Sequence, residues 1–127
     1  MERHDENDLR YWYPRLQGVG GVKTPRTVIL DCNNDLTPVL DKQTTAILAV
    51  HVTGAPCDMN ALKALAEKHD LWLVEDCAQS YLTGYNGRLT GTIGDIGCFS
   101  LNEFKHISAG YAGMLITNDD RLARHAE

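Results

Sequence analysis

In this chain an acid closes one apolar run, and a serine closes another five residues ahead of a lysine. Val74-Glu75-Asp76-Cys77-Ala78-Gln79-Ser80 is followed by Gly97-Cys98-Phe99-Ser100-Leu101-Asn102-Glu103-Phe104-Lys105-His106. A chemistry that needs those parts is pyridoxal 5'-phosphate catalysis. It takes an amine to form a Schiff base, a carboxylate to hold the pyridine nitrogen protonated, and hydroxyl donors for the phosphate. Each residue also has a plainer reading. Asp76 can be a cap or turn residue, Ser100 a core hydroxyl bonded to backbone, and Gln79 the cap of a following helix. Lys105 can be a solvated loop lysine, although Phe104, Ile107 and Gly110 around it suggest burial that would lower its pKa and free the amine. His51, which closes an earlier apolar run, is read as a satisfied strand-end histidine before it is read as a participant.

The elements that must position these residues alternate in type. Val28-Ile29-Leu30 is a short apolar run before a turn at Asn33-Asn34-Asp35. Residues 45–52, Thr-Ala-Ile-Leu-Ala-Val-His-Val, form a continuous β-prone run of the kind found in strands buried on both faces. Gly54-Ala55-Pro56 breaks it, and Asp58 stands at a helix N-cap position. Met59, Leu62, Leu65 and Ala66 then share one side of a helical pattern, with Lys63, Glu67 and Lys68 largely on the other. Leu71-Trp72-Leu73-Val74 is strand-like again. Strand, helix, strand at this spacing predicts a βαβ unit and an α/β fold with a mainly parallel sheet and flanking helices.

Beyond Glu75, Gly84, Gly87, Gly91, Gly94 and Gly97 lack the Gly-x-Gly-x-x-Gly order that nucleotide-binding folds place before a helix, so they are read as turns. Residues 96–100 and 114–117 read as two further strands, and 119–126 as the start of a helix. In open α/β sheets ligands lie beyond the carboxyl ends of the strands, which is where His51, Asp76 and Ser100 fall.

Composition narrows the function class. At 127 residues and 43% hydrophobic content the chain is the size of one domain that can bury a core. With a formal net charge of -5 and scattered basic residues, it offers no Lys/Arg stripe for nucleic acid. Its apolar runs reach about eight residues, against the roughly 20 that cross a bilayer, so no membrane association is expected. The polar start, Met1-Glu2-Arg3-His4-Asp5-Glu6-Asn7-Asp8, has no apolar signal core, which points to the cytoplasm. Cys32, Cys57, Cys77 and Cys98 include no Cys-x-x-Cys pair, and neither His51 nor His69 stands at a recurring ligand spacing, so no metal site is expected.

Taken together, Thr45-Ala46-Ile47-Leu48-Ala49-Val50-His51-Val52-Thr53-Gly54, Glu75-Asp76-Cys77-Ala78-Gln79-Ser80, Gly91-Thr92-Ile93-Gly94-Asp95-Ile96-Gly97-Cys98-Phe99-Ser100 and Lys105 with its following glycines resemble one family. It is the DegT/DnrJ/StrS-type sugar aminotransferases, of the aspartate aminotransferase fold (fold type I) of pyridoxal phosphate enzymes. The resemblance implies that Lys105 forms the Schiff base, that Asp76 partners the pyridine nitrogen and that Ser100 binds the phosphate. It further implies that Gln79 contacts the cofactor near its ring hydroxyl, and that His51 faces the same pocket. Residues 1–26 would be an N-terminal extension or loop, and 27–127 part of the cofactor-binding large domain, since a complete member is roughly three times this length. The implied reaction passes an amino group from glutamate or glutamine to a keto sugar or cyclitol, often nucleotide-linked, in a homodimer. Two departures stand out. Gly110-Tyr111-Ala112-Gly113 puts a phenol where family members usually carry an acid, and the chain is short. Related sugar dehydratases carry histidine in place of the active lysine; His106 follows Lys105, but the register from Ser100 puts the lysine in that position. The third reading is a non-catalytic remnant that serves as an interaction module.

Overall fold

The computed structural model describes residues 26–31, 40 and 44–126. All but the last residue of the expected extension, together with the turn at Asn33-Asn34-Asp35 and Cys32, lie outside the described residues. The expected α/β architecture is present. Strands β1 (Arg26–Asp31), β2 (Thr44–Val50), β3 (Trp72–Asp76), β6 (Ile96–Ser100) and β7 (Gly113–Ile116) form one sheet in the order β1-β2-β3-β6-β7. The first four are parallel to their neighbours, and β7 returns antiparallel to β6. A second, two-stranded ribbon pairs β4 (Gly84–Tyr85) with β5 (Arg88–Leu89). Its turn, Asn86-Gly87, has positive φ at both residues (48° and 79°), the twist that a two-residue hairpin requires.

Helix α1 (Met59–His69) forms where the apolar spacing predicts it. Asp58 caps it by accepting from the Ala61 N–H at 3.1 Å. At the other end Asp70 turns left-handed (φ 54°), and the N–H groups of Asp70 and Leu71 fold back onto the Ala66 carbonyl. Met59, Leu62 and Ala66 of α1 are buried against Ile47, Ala49 and Leu73 of the sheet, with Ile93 closing the cluster. Each large side chain there contributes on the order of 1.5–3 kcal/mol. A final short helix, α2 (Asp120–Ala126), follows β7.

Three expectations need correction. Strand β2 is buried on one face rather than both: Ile47 and Ala49 are buried, whereas Ala46, Leu48 and Val50 are half-buried and Thr45 is exposed. The cause is that, among the described residues, α1 covers one face of the sheet and leaves the other partly open. The strand also stops at Val50 rather than residue 52, because a single 3-10 turn (Val52–Gly54) begins there. Finally, Gly97 lies within β6 rather than in a turn, and a Cβ on it would meet the Gly91 carbonyl oxygen at 2.2 Å. The glycine lets two backbones approach closely.

Candidate active site

The carboxyl ends of the central strands are aligned by their register. Val50 pairs with Asp76, and Asp76 with Cys98, so Ser100 lies two residues beyond Asp76 on the adjacent strand. Side chains alternate across a strand, which places Asp76, Cys98 and Ser100 on one face and Ala49, Glu75 and Gly97 on the other. Burial follows the same division: Ala49, Glu75 and Gly97 are buried on the α1 side, and Asp76, Cys98 and Ser100 are half-buried opposite.

On the open face, Asp76 accepts the Ala78 N–H through Oδ1 at 2.9 Å. Among the described residues its Oδ2 accepts nothing. Gln79 belongs to a turn rather than a helix, and the Ser80 N–H closes that turn on the Cys77 carbonyl. The Gln79 side chain reaches back instead, its Oε1 accepting the Thr53 N–H at 3.1 Å and pinning a β-branched residue in the left-handed region (φ 51°). Ser100 Oγ accepts the Asn102 N–H at 3.4 Å, so its own hydrogen remains available as a donor. Lys105 is half-buried in the loop after β6, held through its backbone N–H on the Asn102 carbonyl, and its amine has no partner among the described residues. The apolar enclosure expected around it is absent there: Phe104 is 88% and Ile107 57% exposed. The chain therefore offers an amine, a carboxylate oxygen, a hydroxyl donor and a side-chain amide at one end of one sheet. That donor set fits a cofactor with a cationic ring, an aldehyde and a phosphate.

His51 does not join them. It is fully buried on the opposite face, where Nε2 lies 3.0 Å from Glu75 Oε2 and Nδ1 accepts the Cys57 N–H at 3.1 Å. An acceptor at Nδ1 leaves the proton on Nε2, donated to the carboxylate. Both ring nitrogens are thus used within the fold.

Glu75 is the residue that sequence reasoning passed over. Oε2 accepts from His51 Nε2 and the Gly91 N–H (2.8 Å), and Oε1 accepts the N–H groups of Ile93 and Gly94 (2.7 Å each). Burial pushes this carboxyl upward, but the His51 bond and the three backbone donors outweigh it and hold it below its ordinary value. The available signal was its place in the alternation: two residues after the inward Leu73, an acid on the core face needs partners. Cys77 completes a group in which His51, Glu75 and Cys77 bring N, O and S atoms within 4.8 Å of one another. Its chemistry is that of a hydrogen-bonded cluster. Four donors occupy the carboxylate, and burial pushes the Cys77 thiol up to about 11.

The family model described as the DegT/DnrJ/EryC1/StrS aminotransferase family matches residues 24–127. An L-glutamine:2-deoxy-scyllo-inosose aminotransferase of Streptoalloteichus tenebrarius is 41% identical over 106 residues, covering 81% of this chain and 24% of that protein. A GDP-perosamine synthase of Vibrio cholerae is 41% identical over 86 residues, covering 68% and 23%. Among solved structures, the aminotransferase from Psychrobacter cryohalolentis superposes with a TM-score of 0.66 at 46% identity, over 68% of this chain and 22% of that one. The chain spans about a quarter of the length of the curated relatives it matches. No helix among the described residues is long and apolar enough to cross a membrane.

Proposed function

The chain belongs to the DegT/DnrJ/EryC1/StrS aminotransferase family, and on that premise we propose that it supplies the cofactor-holding part of a pyridoxal 5'-phosphate-dependent transfer of an amino group to a keto sugar or cyclitol. The observation that carries the reading is the alignment of Asp76 and Ser100 on the open face at the carboxyl ends of β3 and β6, with the amine of Lys105, which has no partner among the described residues, in the next loop. Sugar or cyclitol chemistry, and glutamine or glutamate as donor, are supported by the names of the two relatives.

When bound, the cofactor supplies an electron sink through which an amino group passes from donor to acceptor. Asp76 Oδ2 is free to accept a ring N–H and keep that nitrogen cationic by a charge-assisted hydrogen bond. Ser100 Oγ–H donates to a phosphate oxygen. Gln79, anchored by its Oε1 on Thr53, keeps its amide N–H groups for the ring hydroxyl. Lys105 Nζ would hold the cofactor covalently and, as a free amine, would serve as the base that moves the proton. A homodimer and a cytoplasmic setting belong to the same reading, the former supported by apolar side chains left exposed near the site, Leu82 (80%) and Tyr111 (91%) among them.

Borohydride reduction of the chain in excess pyridoxal phosphate, followed by peptide mapping, tests the assignment. The expected result is a pyridoxyl label on Lys105 ahead of the exposed Lys63 and Lys68. Labelled Lys63 and Lys68 with Lys105 bare would overturn it.

A further inference from the structure

Tyr81 was singled out by no sequence pattern, yet it touches both ends of the loop that carries the lysine. It follows the Asp76–Gln79 turn by two residues and is half-buried. Its hydroxyl donates to the Ser100 carbonyl at 2.6 Å. Its ring packs on Phe99 of β6 (centroids 5.4 Å apart, 57° between planes) and on His106 (5.9 Å, 49°), the residue next to Lys105. One side chain thus spans from the last residue of β6 to the far side of Lys105. The loop has few other ties among the described residues: Glu103, Phe104 and His106 are exposed, the Leu101 N–H is held by the Ala112 carbonyl and the Ala109 N–H by the Leu101 carbonyl, and within the loop the Lys105 N–H turns back to the Asn102 carbonyl.

We propose that Tyr81 is a positioning residue for Lys105, fixing the 101–106 loop against the turn that bears Asp76 and Gln79. The inference rests on the site assignment above and adds a residue to it. Two contacts divide the work. The hydroxyl fixes the point where the chain leaves β6, and the ring fixes the point where it passes Lys105. Tilted aromatic contacts and a short hydrogen bond to a carbonyl each restrict the loop without touching the reacting atoms. Tyr81 is therefore expected to set how the amine is presented rather than to exchange protons itself.

Amide hydrogen exchange and histidine ring signals, measured by NMR on the 127-residue chain without cofactor, test this. In Tyr81→Leu both contacts go. The His106 ring signals should move toward those of an unstructured histidine, and exchange at Leu101, Lys105 and Ala109 should accelerate about tenfold or more. Ile93 and Gly94, held by Glu75 on the other face, should stay within about twofold. Tyr81→Phe keeps the ring, so it should retain the His106 signals while Leu101, next to the lost hydroxyl contact, still exchanges faster. If Tyr81→Leu loosens Ile93 and Gly94 equally, or fails to fold while Tyr81→Phe leaves Leu101 unchanged, Tyr81 is ordinary core support and the proposal is wrong. Unchanged loop exchange in both variants would also overturn it. Because no cofactor is present, that failure would leave the Lys105 assignment intact, and loss of the Lys105 label would leave the loop measurement intact.

Discussion

Glu75 and Asp76 are adjacent in the chain and face opposite sides of the sheet: Glu75 is fully buried against His51 and three backbone N–H groups, while Asp76 stands half-buried on the open face with one oxygen unengaged among the described residues. Two neighbouring carboxylates thereby divide into one consumed by the fold and one to which the proposed function gives a chemical role.

The structural carboxylate should govern acid stability. Its pKa in the folded chain is held below the unfolded value, so its contribution is fully present above the ordinary carboxylate range and is lost as pH falls through the folded value. Urea midpoints should therefore drop as pH goes from 6 toward 4 and below. Glu75→Gln should lower stability by about 3 kcal/mol, because an amide NH2 then opposes backbone donors, and should flatten that pH dependence. A variant with the wild-type slope would show that other groups carry it.

The role proposed for Asp76 should be separable from stability. Asp76→Asn keeps the Oδ1 acceptor for the Ala78 N–H, so the unfolding midpoint should change by less than about 1 kcal/mol. Trapping of pyridoxal phosphate on Lys105 should fall about tenfold or more, the value of one charge-assisted bond. Wild-type trapping in Asp76→Asn would remove Asp76 from the site.

Taken alone, the 127-residue chain should bind the cofactor weakly. Its described residues offer the phosphate one side-chain hydroxyl, and two missing charge-assisted contacts at about 1.5–3 kcal/mol each cost two or more orders of magnitude in affinity. Absorbance titration measures it; tight, stoichiometric uptake with amino transfer would mean that these residues form a complete site.

Glycine packing should show a sharp contrast. Gly97→Ala places a Cβ 2.2 Å from the Gly91 carbonyl oxygen, whereas a Cβ at Gly84 meets nothing within 4 Å. Gly97→Ala is expected to cost about 1–3 kcal/mol and to loosen the Glu75 loop, with Gly84→Ala near neutral. Equal midpoints for the two variants would refute the close approach.

Much of this was legible in the sequence because it is local. The βαβ unit came from apolar runs and a capped amphipathic helix, and the position of Asp76 and Ser100 at the ends of β3 and β6 from where those runs stop. The Glu75–His51 pair was not legible: its members are 24 residues apart, and only the register of β2 on β3 brings them together. Tyr81 escaped for the same reason, since its partners at Ser100 and His106 lie across a strand pairing that no local period encodes. The direction of the His51 side chain was not legible either, because a strand end has two faces and the helix cover that decides between them is visible only in three dimensions.

The strand order β1-β2-β3-β6-β7 rises monotonically along the chain. No strand has to be inserted between two that are already paired; each later one adds to an edge formed before it. Assembly can therefore track synthesis from the N-terminal side, with every new strand meeting a ready template. The candidate site is then assembled late, when β6 docks on β3 and carries Ser100 and the Lys105 loop alongside an Asp76 already fixed in place.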